Sequence, residues 1–223
     1  MICAEDELGL GTSHDGILIL PQDTAVGIPA AAALSLDTDY ILEIGLTPNR
    51  CDAMGHLGVA RDIRAYLMHH EGLTAPLALP EIEETTIQTN VNNTHKVLSD
   101  GDCESYYLAS LSGVQVGPSP DWLKNRLTAL GTASINNIVD CANYVMYELG
   151  TPLHAFDASC FTESLSVRHA HPGETLETLD GVDRKLRPTD LVIDGNGTAH
   201  CLAGVLGGKT SGVSENTTDL LIE

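Results

Sequence analysis

Between Ser119 and Ile222 two helical periods, each closed by a glycine, give way to short apolar segments hinged on Asp-Gly and Asn-Gly, and that order restricts the fold more than any other feature. Ser119-Pro120 marks a helix start: the serine oxygen accepts from an orphan N–H, and a proline at the first helical position loses none. Trp122, Leu123, Leu127 and Leu130 supply the predicted buried face, and Gly131 closes the helix. A second helix is expected over Asn137 to Leu149, with Val139, Ala142, Val145, Met146 and Leu149 on its apolar side and Gly150 as the stop. One or two strands over Tyr106 to Val116 precede the helices. A strand over Ser164 to Ala170 follows them, with hairpins at Asp180-Gly181 and Asn196-Gly197. Helices and strands in separate runs predict an α+β fold, mixed sheets with packed helices.

The upstream part follows a different pattern. Residues 1 to about 37, including Ile17-Leu18-Ile19-Leu20-Pro21, read as short strands and turns. A strand is expected over Tyr40 to Leu46, then a helix capped by Asp52 and running to His69 and His70. Leu57, Ala60, Ile63, Arg64 and Leu67 give that helix its apolar stripe, and Gly72 ends it. Pro76, Pro80 and several acids after Thr74 place a domain boundary there, with weak alternation at Thr86 to Val91 beyond it.

At 223 residues and 43% hydrophobic content, the chain can bury a core and divide into more than one unit, at roughly 150 residues per domain. Eleven Lys plus Arg against 31 Asp plus Glu give a net charge of -20, which opposes broad contact with a phosphate backbone. Any nucleic acid is therefore met over a small part of its length. Arg184, Lys185 and Arg187 form one local basic group, read as a solvated hairpin edge. No apolar run reaches the roughly 18 to 20 residues of a membrane span, and no signal-peptide pattern opens the chain, so no membrane contact and an intracellular setting are expected. The six cysteines lack any C-x-x-C pair and read as buried free thiols.

His154 is the best local candidate for chemistry, because it sits in a loop just past a helix stop; a structural hydrogen bonder is the commoner role for a single histidine. His169-Ala170-His171 could put two ligands on one strand face, but no third is evident and no metal is expected. Gly204 to Thr210 lacks phosphate-loop spacing, although consecutive glycines allow bare backbone to approach a ligand. Glu223 follows a buried-looking strand, where an acid usually meets water.

In order along the chain, the segments resemble the β-chain family of phenylalanyl-tRNA synthetases. Leu46-Thr47-Pro48-Asn49-Arg50 and Gly58-Val59-Ala60-Arg61-Asp62 begin the match. Gly117-Pro118-Ser119-Pro120-Asp121-Trp122-Leu123, Ile135 to Asp140, Asn143 to Gly150 and Pro152-Leu153-His154-Ala155-Phe156-Asp157 continue it. Thr178 to Gly181, Pro188 to Ile193, Leu202 to Gly208 and Ser214 to Thr218 complete it. The resemblance implies three parts: 1–37 as the end of an OB-fold tRNA-binding domain, 38–75 as the second half of a small N-terminal α/β domain, and 76–223 as the editing module.

By the same resemblance, activation of phenylalanine with ATP and magnesium belongs to a separate α subunit, and the cytoplasmic holoenzyme is a heterotetramer of two α and two β chains. This stretch is expected to use no cofactor and not to aminoacylate. The implied reaction is hydrolysis of the ester between tyrosine and the terminal adenosine of phenylalanine tRNA. An apolar pocket rejects an isostere that adds one hydroxyl poorly. The resemblance answers with Glu223 as acceptor for the tyrosine phenol and the Gly207 backbone as a complementary contact. Phenylalanine would leave that acid unpaired, at a cost on the order of 1 to 3 kcal/mol or more. His154 matches the family's editing histidine, and Asn143 lies in the matching helix; both are implied to position the ester or its water. Two departures remove groups near the substrate: Ala142 stands where the family often has Thr, and Ala133 where some members carry Arg. The alternative is a non-catalytic, tRNA-contacting scaffold.

Overall fold

The computed structural model describes residues 3–34, 36, 39–74, 76–81, 96–99, 102–162 and 164–223. They fall into two compact units, Met1–Leu42 and Glu43–Glu223. The first holds a 3-10 turn at Asp6–Leu8 and a one-turn helix α1 (Ala30–Ala33). Its described residues form no strand, contrary to the sequence pattern. A strand persists only where another completes its ladder, and here Ile17 and Ile19 stand exposed. The strand expected over Tyr40 to Leu46 is likewise absent, and Tyr40, Ile41 and Leu42 are open to solvent.

In the second unit, α2 (His56–His70) starts at Gly55 and not at Asp52. The Asp52 carboxylate is taken by Arg50, whose Nε and Nη2 each donate to it at 2.9 Å, and it does not cap the helix. The predicted apolar stripe is only partly covered, with Ile63 exposed and Gly58 the buried residue of the helix. His56 Nδ1 lies 2.8 Å from the Tyr147 carbonyl, tying the start of α2 to a later helix. Gly72 ends α2 as expected: with φ +63° it lets the Leu73 N–H reach back to the Leu67 carbonyl at 3.1 Å. The alternation at residues 86–91 lies outside the described residues.

Next come β1 (Lys96–Ser99), β2 (Ala109–Ser112), α3 (Asp121–Ala129) and α4 (Asn137–Leu149). Leu123 and Leu127 bury the inner face of α3, but Trp122 does not join them. It meets Tyr144 edge-on at the surface, with the Arg126 guanidinium over its ring. Ser119 also departs from its expected role as a cap. Its hydroxyl donates to Asp140 Oδ2 at 2.5 Å, while Ser134 Oγ donates to the same oxygen and the Ile135 N–H to Oδ1 at 2.9 Å. Asp140 is thus a fully buried staple between the lead-in of α3 and the first turn of α4. Burial alone would raise its pKa; hydrogen bonds from both serines and the Ile135 amide reverse the direction and hold it low. Asp140→Ala strands these donors and is expected to lower stability by about 2 to 3 kcal/mol in urea unfolding, a loss under 0.5 kcal/mol refuting the staple.

The remaining strands are β3 (Ala155–Asp157), β4 (Ser164–His169), β5 (Thr175–Glu177), β6 (Asp183–Lys185), β7 (Leu191–Gly195), β8 (Thr198–Leu202), β9 (Leu206–Gly207) and β10 (Asp219–Ile222). One sheet has the order β1-β4-β7-β8-β9, parallel between β1 and β4 and antiparallel elsewhere. A second is β2-β10-β3, antiparallel throughout, and β5-β6 is a separate hairpin. Neighbours on β7 point to opposite faces. Ile193 joins Phe156, Phe161, Leu165, Cys201 and Leu221 in one core cluster, and Val192 joins Ala170, Leu176, Leu186 and Ala199 in another. The larger sheet is therefore covered on both sides at its centre. The β7–β8 hairpin turns on Asn196 and Gly197, both at positive φ, as an Asn-Gly pair allows. The result is the α+β fold that the order of elements predicts.

Candidate functional site

β10 and β3 bring together two residues nearly seventy positions apart. The Glu223 N–H donates to the His154 carbonyl at 2.8 Å, and the His154 N–H returns to the Glu223 carbonyl at 3.4 Å, which extends the β10–β3 ladder by one pair. Residues directly opposite in an antiparallel pair project from the same face. Both side chains accordingly line one cleft of about 240 Å³, together with Leu153, Cys201 and Gly207.

Gly207 reaches this cleft through β9, whose register sets it opposite Cys201 on β8. A Cβ placed there would lie 2.6 Å from His154 Cε1, 3.1 Å from its Nε2 and 2.9 Å from Leu179 Cδ1. The absent side chain is the space that the imidazole occupies. The ring also packs against the fully buried Phe156, with ring centroids 4.4 Å apart in a T-shaped arrangement. His154 is thus held against both a glycine backbone and a core aromatic.

The electrostatics favour uncharged partners around one acid. Burial lowers the pKa of His154, so the ring is neutral near pH 7, and its buried Nε2 has no hydrogen-bond partner among the described residues. Burial raises the pKa of Glu223, opposed by the Tyr106 hydroxyl. Burial, with the charge of Glu223 adding to it, pushes the Cys201 thiol up to about 12. Cys201 is therefore no thiolate nucleophile. A neutral imidazole, a buried acceptor and bare strand backbone can bind a polar ligand, orient water and accept a proton.

Of the sequence-predicted residues, the structure brings His154, Glu223 and Gly207 into one cleft. Asn143 and Ala142 are half-buried on α4 and do not line it. Sequence reasoning missed Tyr106 and Cys201. The first was read only as a strand position, and the second only as one of six buried thiols, of which Cys51 and Cys141 prove exposed. The sole signal for Cys201 was its cross-strand register with Gly207, which a sequence does not display. His169 Nε2 faces Asp102 at 2.9 Å, and no group of three potential metal ligands occurs among the described residues. The Gly204–Thr210 segment forms β9 and a 3-10 turn, with Lys209 bonded to Glu177. Arg184 is held by Asp180 and Thr178 at the hairpin edge.

The model of the B3/4 domain family matches residues 102–223. Over its full length the chain is 46% identical to a phenylalanine-tRNA ligase beta subunit of Porphyromonas gingivalis and 43% identical to that of Geobacter metallireducens. It spans 27% of the length of each. An N-terminal fragment of the phenylalanyl-tRNA synthetase beta-subunit from Pyrococcus horikoshii is a distant structural likeness, at 15% identity and a TM-score of 0.43, covering 78% of this chain and 52% of that one.

Proposed function

This chain belongs to the B3/4 domain family, and from that premise we propose that its cleft hydrolyses the ester of tyrosine wrongly attached to phenylalanine tRNA, as part of a phenylalanine-tRNA ligase beta subunit. The observation that carries the reading is the meeting of His154, Glu223 and Gly207 in one cleft, with the imidazole seated where a glycine side chain is missing. Glu223 accepts a hydrogen bond from the tyrosine phenol. Phenylalanine offers no such donor and leaves the carboxylate buried and unpaired, so discrimination comes from a polar contact and not from pocket size. The neutral His154 ring holds water beside the ester carbonyl; one of its nitrogens can take a proton from that water as its oxygen adds to the carbonyl carbon, and give it to the ribose oxygen as the C–O bond to the ribose breaks. An aminoacyl ester is already activated, and orienting water beside it supplies much of the acceleration. Cys201, held as a thiol, forms no acyl intermediate.

The net charge of -20 suits this division of labour, because the cleft takes only the aminoacylated end of the tRNA and leaves the body of the nucleic acid to other parts of the assembly. The synthetic reaction, with ATP and magnesium, is then the work of a partner α subunit in a cytoplasmic assembly of two α and two β chains.

Glu223→Ala in the full-length enzyme tests the reading through deacylation of tyrosyl- and phenylalanyl-tRNA. Selectivity for the tyrosyl ester is expected to fall roughly 10- to 100-fold. An unchanged ratio would exclude Glu223 from recognition and leave the chain as a tRNA-contacting scaffold.

A further inference from the structure

The second sheet places one more polar group against the recognising acid. In the β2–β10 register Ile222 lies opposite Ala109, so the segment leading into β2 runs antiparallel past Glu223. Tyr106 lies on that segment, its ring packed on the core cluster that contains Cys201 and Leu221. Its hydroxyl is buried and makes no hydrogen bond of ordinary geometry among the described residues. It nevertheless stands near enough to Glu223 for each group to alter the protonation of the other. A buried donor without a partner beside a buried carboxylate is a costly arrangement unless a small movement joins them, or a ligand does.

We propose that Tyr106 is a positioning residue for the tyrosine-recognising carboxylate: its hydroxyl donates to one oxygen of Glu223 and leaves the other for the phenol of the incoming aminoacyl group. The inference rests on the editing reading given above. Its physical basis is that a desolvated carboxyl group tends to take up a proton, and a protonated one no longer offers two acceptor oxygens. Groups from three elements face Glu223: Tyr106 before β2, His154 before β3 and Cys201 on β8. Cys103 faces Tyr106 in turn. With His154 neutral and Cys201 a thiol, the Tyr106 hydroxyl is the group that favours the ionised acid.

The test uses Tyr106→Phe in the full-length beta subunit assembled with its alpha partner, with kcat/KM for tyrosyl-tRNA deacylation measured from about pH 5 to about pH 8. Near neutral pH kcat/KM is expected to fall about tenfold. The acid limb should move to higher pH, because Glu223 without its donor takes up a proton sooner. Phenylalanine keeps the ring in the core, and lost stability alone does not move a pH limb measured on folded enzyme. A Tyr106→Phe profile that superposes on the parent, while Glu223→Ala still removes tyrosine selectivity, overturns the role of Tyr106 and spares the editing reading. If Glu223→Ala leaves selectivity intact, both fall together.

Discussion

On the proposed editing function, replacing Gly207 with alanine is expected to cut hydrolysis of the tyrosyl ester by about a hundredfold or more, the scale of loss that follows a misplacement of about 1 Å at a catalytic group. The new Cβ would lie 2.6 Å from His154 Cε1 and 2.9 Å from Leu179 Cδ1, distances that ordinary packing does not tolerate. The ring has little freedom to shift, because it also packs on the fully buried Phe156, centroid to centroid at 4.4 Å, and Phe156 packs on Phe161 in turn. It must instead swing into the cleft, where it fills ligand space and loses its bearing on the ester. Gly207 itself is not in the left-handed region, so alanine adds no backbone strain there. Thermal unfolding should therefore change far less than catalysis, and aminoacylation by the proposed assembly with an alpha subunit serves as the control for intact quaternary structure. Single-turnover deacylation of tyrosyl-tRNA is the measurement. A Gly207→Ala enzyme that edits within about threefold of the parent would show that the clamp on His154 has no bearing on the chemistry.

What could be read in advance divides by the range of the interactions involved. The helix Asn137–Leu149 and its stop at Gly150 were legible because apolar spacing and a terminal glycine are local signals. The Asn196-Gly197 hairpin was legible for the same reason, since its two positive φ values are demanded by the turn itself. Ser119 was misread because its hydroxyl had a better partner 21 residues away, the buried Asp140 carboxylate, and a capping rule does not see that competitor. Asp52 failed as a cap in the same way, taken by Arg50. The strands expected near Ile17 and over Tyr40 to Leu46 failed because β structure depends on partners that a short apolar run does not specify. In the site, His154 was a candidate on local grounds and Gly207 one of two consecutive glycines able to admit a ligand, whereas Glu223, and the role given to Gly207, came only through resemblance to a family. Their convergence with His154 depends on the β10–β3 and β8–β9 registers. Tyr106 was visible only as a strand position, because a half-buried aromatic in an alternating segment is more often core than function.

The same dependence on distant partners governs a largely buried ionic triad in the second unit, and it sets the largest expected effect on stability. Arg168 on β4 donates through Nε and Nη2 to Asp194 Oδ2 at 3.0 and 2.7 Å, and through Nη1 and Nη2 to Glu174 at 2.9 and 2.8 Å. All three side chains are largely shielded from solvent, at 16% exposure for the arginine, 15% for Glu174 and 7% for Asp194. Assembling such a triad gains little over apolar packing, but removing one member leaves buried charge without a partner. Arg168→Ala is therefore expected to cost about 3 to 5 kcal/mol in chemical unfolding, with two acids stranded beside the β7 strand that carries the core. The pH dependence separates this cause from lost packing. The Arg168 guanidinium, against the opposing effect of burial, holds the Glu174 carboxyl at about 2, below its ordinary 4.5. A carboxyl held low contributes stability that is complete above its unfolded value and disappears as pH falls through its folded one. The parent should thus lose this contribution between pH 4.5 and about 2, while the variant, lacking the cation, keeps only the smaller part that the His171 N–H supplies. The stability gap between the two proteins should narrow steadily over that window. A gap that stays constant with pH would mean that Arg168 acts through its aliphatic stem and not through its charge.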